Sequence, residues 1–486
     1  MKNGGFVMDK TLRINALLNV IKQICSVIFP MITFPYATRV LGMFYYGKVT
    51  FGSSIISYIS LLAALGISNY AIREGAKIKN DKKQLQKFTN ELYSINVIST
   101  LLSYIILICL ILFWKKLNGY TLLLLIQSLT VIFSTVGVDW LNSIHEDFTY
   151  ITIRYIICQS ISLFLMFLLV HSENDYFLYA LTSILGSVTA NIANMLYVRK
   201  RYRIIPRFVL TKELTKHLKP IFIFFGTTIA AIVYVNSDIT ILGVLKGEAE
   251  VGVYSVSVRI YTLVKQILTA TLIVAIPRIS NEISFNNISV IKNKLQQILS
   301  EVLIFMIPAS VGLIMLAKPI VNVFAGGTYL AAVSSLQILS VALIFAGLAT
   351  FFIYVVLIPF KKEKVAFIAT LIAAIINVVC NFFLIPYGGG DAAAITTVFA
   401  EVFTVIIGWF FVQKIVKIKV TKAFIISIIN GMVTACVCFM VSRNLTNDFM
   451  ILFIGIMLSV LACGAIVILA YKDVAFTIIN KIKPTN

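Results

Sequence analysis

The chain of 486 residues is 59% hydrophobic and 13% charged, and its 41 Lys and Arg outweigh 20 Asp and Glu to give a net charge of +21. Soluble domains carry about 25% charged residues, so a string of such domains is excluded. Disorder is excluded as well, because 35 Phe and 21 Tyr leave too much apolar surface to expose to water. What remains is an all-α integral membrane protein.

A helix needs about 20 apolar residues to cross the hydrocarbon. Such runs predict fourteen crossings, at 14–36, 50–70, 91–113, 120–141, 151–170, 176–197, 220–245, 253–277, 298–317, 332–359, 365–387, 392–413, 423–441 and 449–471. The first is interrupted by Pro30 and Pro35. It is too long, and starts too polar, for a cleaved signal peptide, and reads as a retained signal-anchor. The N-terminus, the even-numbered loops and the C-terminal tail hold 30 of the 41 basic residues, the odd-numbered loops seven. Under the positive-inside rule both termini are therefore cytoplasmic. This also accounts for the positive charge without nucleic acid. The outer loops are mostly too short for a folded domain, so the work is done within the membrane.

Transporters are often built from repeats. Leu41-Gly42, Gly47 and then Arg73, 26 residues on, are echoed by Leu242-Gly243, Gly252 and then Arg278, again 26 residues on. The echo lies six crossings apart in the same direction. It divides the chain into a first six-helix bundle (1–197), a basic cytoplasmic linker (198–219), a second six-helix bundle (220–413), and two further helices with the tail (414–486).

Several chemistries find no residues to carry them. No GxxxxGK[ST] loop is present to hydrolyse nucleotide. The seven cysteines sit in apolar runs as small hydrophobes, and His145, His171 and His217 are too scattered for a metal site.

Ionisable groups within the crossings are the informative ones, since a charge at mid-bilayer costs about 3 kcal/mol on insertion scales. Lys22 lies nine residues beyond Arg13. On the eighth crossing Ser255, Arg259, Thr262, Gln266 and Thr269 recur at i, i+4, i+7, i+11 and i+14, one helical face, with Lys265 at its border. Such a stripe predicts a cavity lining. Asp238 and Arg259 lie at matching depth, which predicts a pair across the hairpin. Asp139 and Arg154 are likewise matched, near enough to the inner interface to be hydrated, and read as a structural pair. Glu401, mid-crossing, has no obvious base nearby, and reads either as a proton-coupling site or as a packing group. Cations outnumber anions: Lys22, Arg259, Lys265, Arg39 at the first crossing's outer end, and Arg154 at the inner side. A positive cavity suits a phosphate-bearing substrate, with Arg offering bidentate contacts.

The segments FPYATRVLGMFYYG (34–47), DWLNSIHEDFTYITIRYII (139–157), GVYSVSVRIYTLV (252–264) and NFFLIPYGGGDAAAITT (381–397) resemble the polysaccharide-export flippases. These are the Wzx-type translocases of O-antigen and capsule repeat units in the multidrug/oligosaccharidyl-lipid/polysaccharide superfamily. The resemblance covers nearly the whole chain in helix order and charge placement. It implies two pseudo-symmetric six-helix bundles around a MATE-like V-shaped cavity, two extra helices, and no enzymatic activity or cofactor, with H+ or Na+ as possible coupling ion. It also implies that an undecaprenyl-pyrophosphate-linked oligosaccharide moves from the inner to the outer leaflet of a bacterial cytoplasmic membrane. Polymerase and glycosyltransferases are implied as partners. Lys22, Arg39 and Arg259 match, by helix, the family's pyrophosphate-meeting cations. One departure is Asp391, where the family has a second glycine, and it leaves that turn's conformation open. Rival readings are a peptidoglycan-precursor (lipid II) flippase, a cation-coupled multidrug exporter, and a membrane glycan polymerase or ligase. The last usually carries a long outer loop, which this chain lacks.

Overall fold

A computed structural model describes residues 10–284, 288–418 and 421–470. In chain order the helices are α1 (Lys10–Ala64), α2 (Ile67–Gly75), α3 (Lys82–Phe113), α4 (Thr121–Gly137), α5 (Trp140–Ile144), α6 (Phe148–Leu169), α7 (Tyr176–Arg201) and α8 (Thr215–Leu245). They continue with α9 (Glu248–Ser284), α10 (Ile288–Met315), α11 (Ala317–Ala325), α12 (Ala332–Thr350), α13 (Glu363–Ile415), α14 (Thr421–Asn444) and α15 (Asp448–Ala470). Each of the fourteen predicted crossings is largely helical, though 50–70 runs from α1 across a turn into α2 and 120–141 from α4 across a break into α5, and no strand forms among the described residues. In bilayer the backbone must satisfy itself, and a continuous helix does so.

Two helices each hold two crossings, joined at a glycine. Gly42 adopts φ 66° in α1, and Gly389 adopts φ 53° in α13. That conformation is costly for any residue with a Cβ. The break expected at Pro30 and Pro35 therefore falls elsewhere: both prolines lie inside the unbroken first arm of α1. Threonine hydroxyls turn back onto the nearby carbonyls, Thr38 to Phe34 O at 3.0 Å and to Pro35 O at 3.2 Å.

The chain divides into two compact units, Met1–Gly252 and Val253–Asn486. The division falls at the start of α9 rather than in the 198–219 segment, and α8 belongs to the first unit. In the first unit buried amides join the helices. Gln127 of α4 donates to Val49 O at 3.0 Å and Ser53 Oγ at 2.9 Å, and Asn194 of α7 donates to Gly137 O at 2.6 Å. In a membrane, where lipid is as apolar as the side chains, such bonds hold helices together.

The 198–219 segment is not a free linker. After α7 it runs extended and is strapped to α3, whose Gln86, Asn90 and Ser94 recur every fourth residue. Gln86 Oε1 accepts from Ile205 N at 3.0 Å, Asn90 Oδ1 from Arg207 N at 3.0 Å and Ser94 Oγ from Val209 N at 2.7 Å; Gln86 Nε2 donates to Ile205 O at 2.7 Å. Four helical residues rise about 6 Å and two extended residues about 6.6 Å, so the two periods stay in step. Each bond contributes about 1 kcal/mol. Gln86→Ala with Asn90→Ala is expected to speed amide hydrogen exchange at Ile205 and Arg207 at least tenfold. Unchanged exchange by mass spectrometry would show that the strap is held by something else.

In the second unit a buried polar ladder closes the α13 hairpin. Asn381 Nδ2 donates to Asn377 Oδ1 at 3.2 Å, and Thr396 Oγ1 donates to Asn381 Oδ1. Asp391, the departure from the family glycine, accepts from the Ser334 hydroxyl at 2.8 Å and from that of Ser335, tying the turn to the start of α12.

Candidate functional site

The stripe on α9 grades from buried to open. Ser255 is buried, and its hydroxyl has no hydrogen-bond partner among the described residues. Arg259, Thr262 and Thr269 are half-buried and Gln266 is exposed. Thr269 spends its hydroxyl on Lys265 O at 2.7 Å. Arg259 forms no ion pair within its own unit among the described residues.

Lys265 does not stand free. Its ammonium meets Glu401 Oε1 of α13 at 2.8 Å, where the lysine side chain is 28% exposed and the glutamate 7%, and it also lies over the Tyr261 ring, 5.6 Å from its centroid. The expectation that Glu401 lacks a base is therefore corrected. The base comes from another helix, 136 residues away in sequence, which periodicity along α13 cannot reveal. The pair neutralises two of the candidate groups at once.

In the first unit Arg154 and Asp139 form an ion pair, as their depth predicts. The hydration expected there is not found for the arginine. Arg154 is 8% exposed while Asp139 remains 48% exposed. The guanidinium also lies 5.2 Å from the Tyr150 ring centroid, and its Nε and Nη1 have no hydrogen-bond partner among the described residues. Lys22 is half-buried, with its ammonium 6.0 Å from the Tyr155 ring centroid, a cation–π contact of about 0.5–1 kcal/mol. Arg39 is exposed. Asp238 is buried, and, two residues on, Thr240 donates its hydroxyl to that of Tyr58 at 3.2 Å. Asp238 and Arg259 belong to different units. Of the echoed residues, the side chain of Arg278 lies outside the described ones.

One cluster was missed by sequence reasoning. Glu91 of α3, His217 of α8 and Tyr70 of α2 form a buried chain. His217 Nε2 lies 2.8 Å from Glu91 Oε2, and His217 Nδ1 lies 2.8 Å from the Tyr70 hydroxyl. Lys216, Lys87 and Glu213 surround it. Glu213, on the exposed short turn before α8, is held down to about 2 by hydrogen bonds from Lys87 and Lys216. Lys216 is shifted upward: burial opposes its charge, but Glu213 and Glu91 outweigh it. The available signal was a lone acidic residue, Glu91, set into the first turns of an apolar helix.

Long apolar helices, two of them hinged at glycines, with charges placed within the crossings, define a multi-pass membrane protein. The fold matches lipid II flippase MurJ in its inward closed conformation with a TM-score of 0.78 at 17% identity, covering 95% of this chain and 100% of that one. It also matches an inward-facing multidrug resistance MATE transporter of the multidrug/oligosaccharidyl-lipid/polysaccharide superfamily, with a TM-score of 0.57 at 15% identity over 80% and 97%.

The chain belongs to the polysaccharide biosynthesis protein family, whose pattern matches residues 12–283. It is 25% identical over 372 residues to a Shigella dysenteriae protein named as an O-antigen transporter, covering 76% of this chain and 91% of that one. A second protein so named, from Escherichia coli K12, is 22% identical over 278 residues, 57% of this chain and 67% of that one.

Proposed function

We propose that the protein is a flippase for oligosaccharide repeat units carried on undecaprenyl pyrophosphate. It moves them from the inner to the outer leaflet of a bacterial cytoplasmic membrane, with both termini in the cytoplasm. The observation that carries this reading is Arg259. Among the described residues of its unit it is the half-buried cation of a polar stripe that forms no ion pair, whereas Lys265 and Arg154 are neutralised by carboxylates. An unpaired cation at membrane depth is costly. A pyrophosphate offers two charge-assisted hydrogen bonds to a guanidinium and would relieve that cost on arrival. The polyprenyl tail stays in lipid while the sugars pass along the polar face. Lys22 and Arg39 are secondary contacts in this reading, and the membrane potential biases movement of net charge by roughly 2.3 kcal/mol per charge per 100 mV. The family match and the two relatives named as O-antigen transporters support a surface glycan over a peptidoglycan precursor, since the likeness to MurJ, at 17% identity, is one of fold.

The test is made in the native host with the gene deleted. Surface polymer is expected to fall at least tenfold, with lipid-linked repeat units trapped in the inner leaflet. The wild-type gene restores both, and Arg259→Ala, expressed at the same level, does not. Normal surface polymer in the Arg259→Ala strain would sink the assignment of the site.

A further inference from the structure

The Glu91–His217–Tyr70 chain belongs to the first unit, beside the basic stretches that flank α3 and α8. Glu91, His217 and Tyr70 are each more than nine-tenths buried, yet they line a cleft of about 330 Å³ together with Glu74, Lys77, Lys87 and Lys216. A buried charge with no route to water is fixed in one protonation state, whereas this one has a route.

With a neutral imidazole both hydrogen bonds of His217 have one donor and one acceptor. The Tyr70 hydroxyl donates to Nδ1, and the Nε2 hydrogen is donated to Glu91 Oε2. The Glu91 charge is met by Lys216 at 3.2 Å and, more distantly, by Lys87 at 4.0 Å. Its second oxygen, Oε1, has no hydrogen-bond partner among the described residues. Imidazole is the side chain whose ordinary range of titration falls between pH 5 and 8.

We propose that Glu91 and His217 bind the proton that couples this transporter to the pH on the basic-loop side, and that the occupied site resets the hold on the first turn of α8. This rests on the flippase reading above for what is transported, but not for the binding itself. A hydronium ion in the cleft gives its proton to Nδ1: one of its O–H bonds breaks as the N–H bond forms, and water is left behind. Nδ1 then donates to the Tyr70 oxygen, and the Tyr70 hydrogen turns into the cleft toward water. Glu91 now faces an imidazolium, so Lys216 is no longer needed for its charge. Lys216 and Lys87 are left to Glu213, which they already meet at 3.0 Å and 2.6 Å. The charged groups facing the pair are thus Glu74 from α2, Lys77 from the turn after it, Lys87 from α3, Glu213 from the turn before α8 and Lys216 from α8. All of them lie at the end where α8 enters the membrane. Residues 205–209 bind the adjacent face of α3, so a shift at the foot of α8 is felt against a fixed strap.

The chain holds three histidines, which makes the site directly readable. Full-length protein labelled with 15N in the histidine rings is placed in nanodiscs and followed by NMR from pH 8 to pH 5. One set of ring signals, absent in His217→Gln, is expected to change from the neutral form with hydrogen on Nε2 to the imidazolium. In Glu91→Gln proton binding at that ring is expected to weaken at least tenfold. The signals of His145 and His171 report that each variant is folded. In proteoliposomes an imposed pH gradient is expected to change wild-type movement of a lipid-pyrophosphate sugar at least threefold, and His217→Gln to abolish that dependence. A His217 ring that stays neutral throughout overturns the proposal, as does a His217→Gln variant that keeps the wild-type pH profile. Should wild type bind the proton but move no lipid-linked sugar under any gradient, the flippase reading fails, and with it the coupling role, while the proton site stands.

Discussion

Lys265→Met is expected to lower the melting temperature of the purified protein by about 6–20 °C, and Lys265→Met combined with Glu401→Leu to recover most of that loss. Removing one partner of a buried ion pair leaves an uncompensated charge and costs about 3–5 kcal/mol, whereas replacing both by apolar groups is often neutral. For a unit of this size 1 kcal/mol corresponds to roughly 2–4 °C. The asymmetry in exposure sharpens the expectation. Glu401 is 7% exposed and has nowhere to go, whereas Lys265 at 28% can carry its ammonium toward water. Glu401→Leu alone should therefore cost less than Lys265→Met alone. The same series decides the functional role of the lysine. If Lys265 serves only to balance Glu401, the double variant recovers transport along with stability. Should it melt like wild type yet move no substrate, Lys265 joins Arg259 as a substrate contact. Thermal unfolding followed by intrinsic fluorescence, with transport measured on the same preparations, reads both.

The pair also shows what a single sequence can and cannot disclose. Helix existence was legible because the bilayer imposes a length and a composition on every crossing, so even α9, with Arg259 and Lys265 within it, was found by its apolar background. The polar face of α9 was legible because it repeats at helical spacing. Tertiary partners were not, since Lys265 and Glu401 lie 136 residues apart and Glu91 and His217 lie 126 apart. Depth matching worked for Asp139 and Arg154, on consecutive crossings 15 residues apart, where the intervening turn is short enough to fix the geometry. It gave no hint that the arginine would be the buried member. The 198–219 segment misled for a related reason. Its charge is that of a solvated cytoplasmic loop, and charge says nothing of backbone groups. The signal lay instead on α3, in Gln86, Asn90 and Ser94 at a spacing of four, unremarkable until an extended segment is laid across it.

Gly47→Ala and Gly252→Ala are each expected to lower the melting temperature by more than 10 °C, or to prevent recovery of folded protein. A Cβ on Gly47 would lie 1.8 Å from the carbonyl oxygen of Glu248, and one on Gly252 would lie 2.0 Å from that of Met43. Both obstacles are backbone, which has no rotamer to yield, so the helices themselves must separate. Overpacking of side chains alone typically costs 1–3 kcal/mol, and a clash with two backbones exceeds that. The contact is reinforced nearby, where Tyr120 donates to Glu248 Oε1 at 2.7 Å and Lys48 stands 5.3 Å from the Tyr120 ring centroid. Gly226→Ala is the matched control: it lies in α8, meets nothing within 4 Å, and by helix propensity should stabilise slightly. The echo between Gly42–Gly47 and Gly243–Gly252 thereby acquires a physical cause. Each glycine of the echoed pair Gly47 and Gly252 is the space into which the other segment's backbone fits, and Gly243 receives the Phe51 ring, 2.2 Å from where its Cβ would stand. Close approach of this kind lets helices associate in lipid without a hydrophobic drive. If Gly47→Ala and Gly252→Ala melt within 2 °C of wild type, the segments are not packed backbone to backbone, and the echo is a relic of descent rather than a working contact.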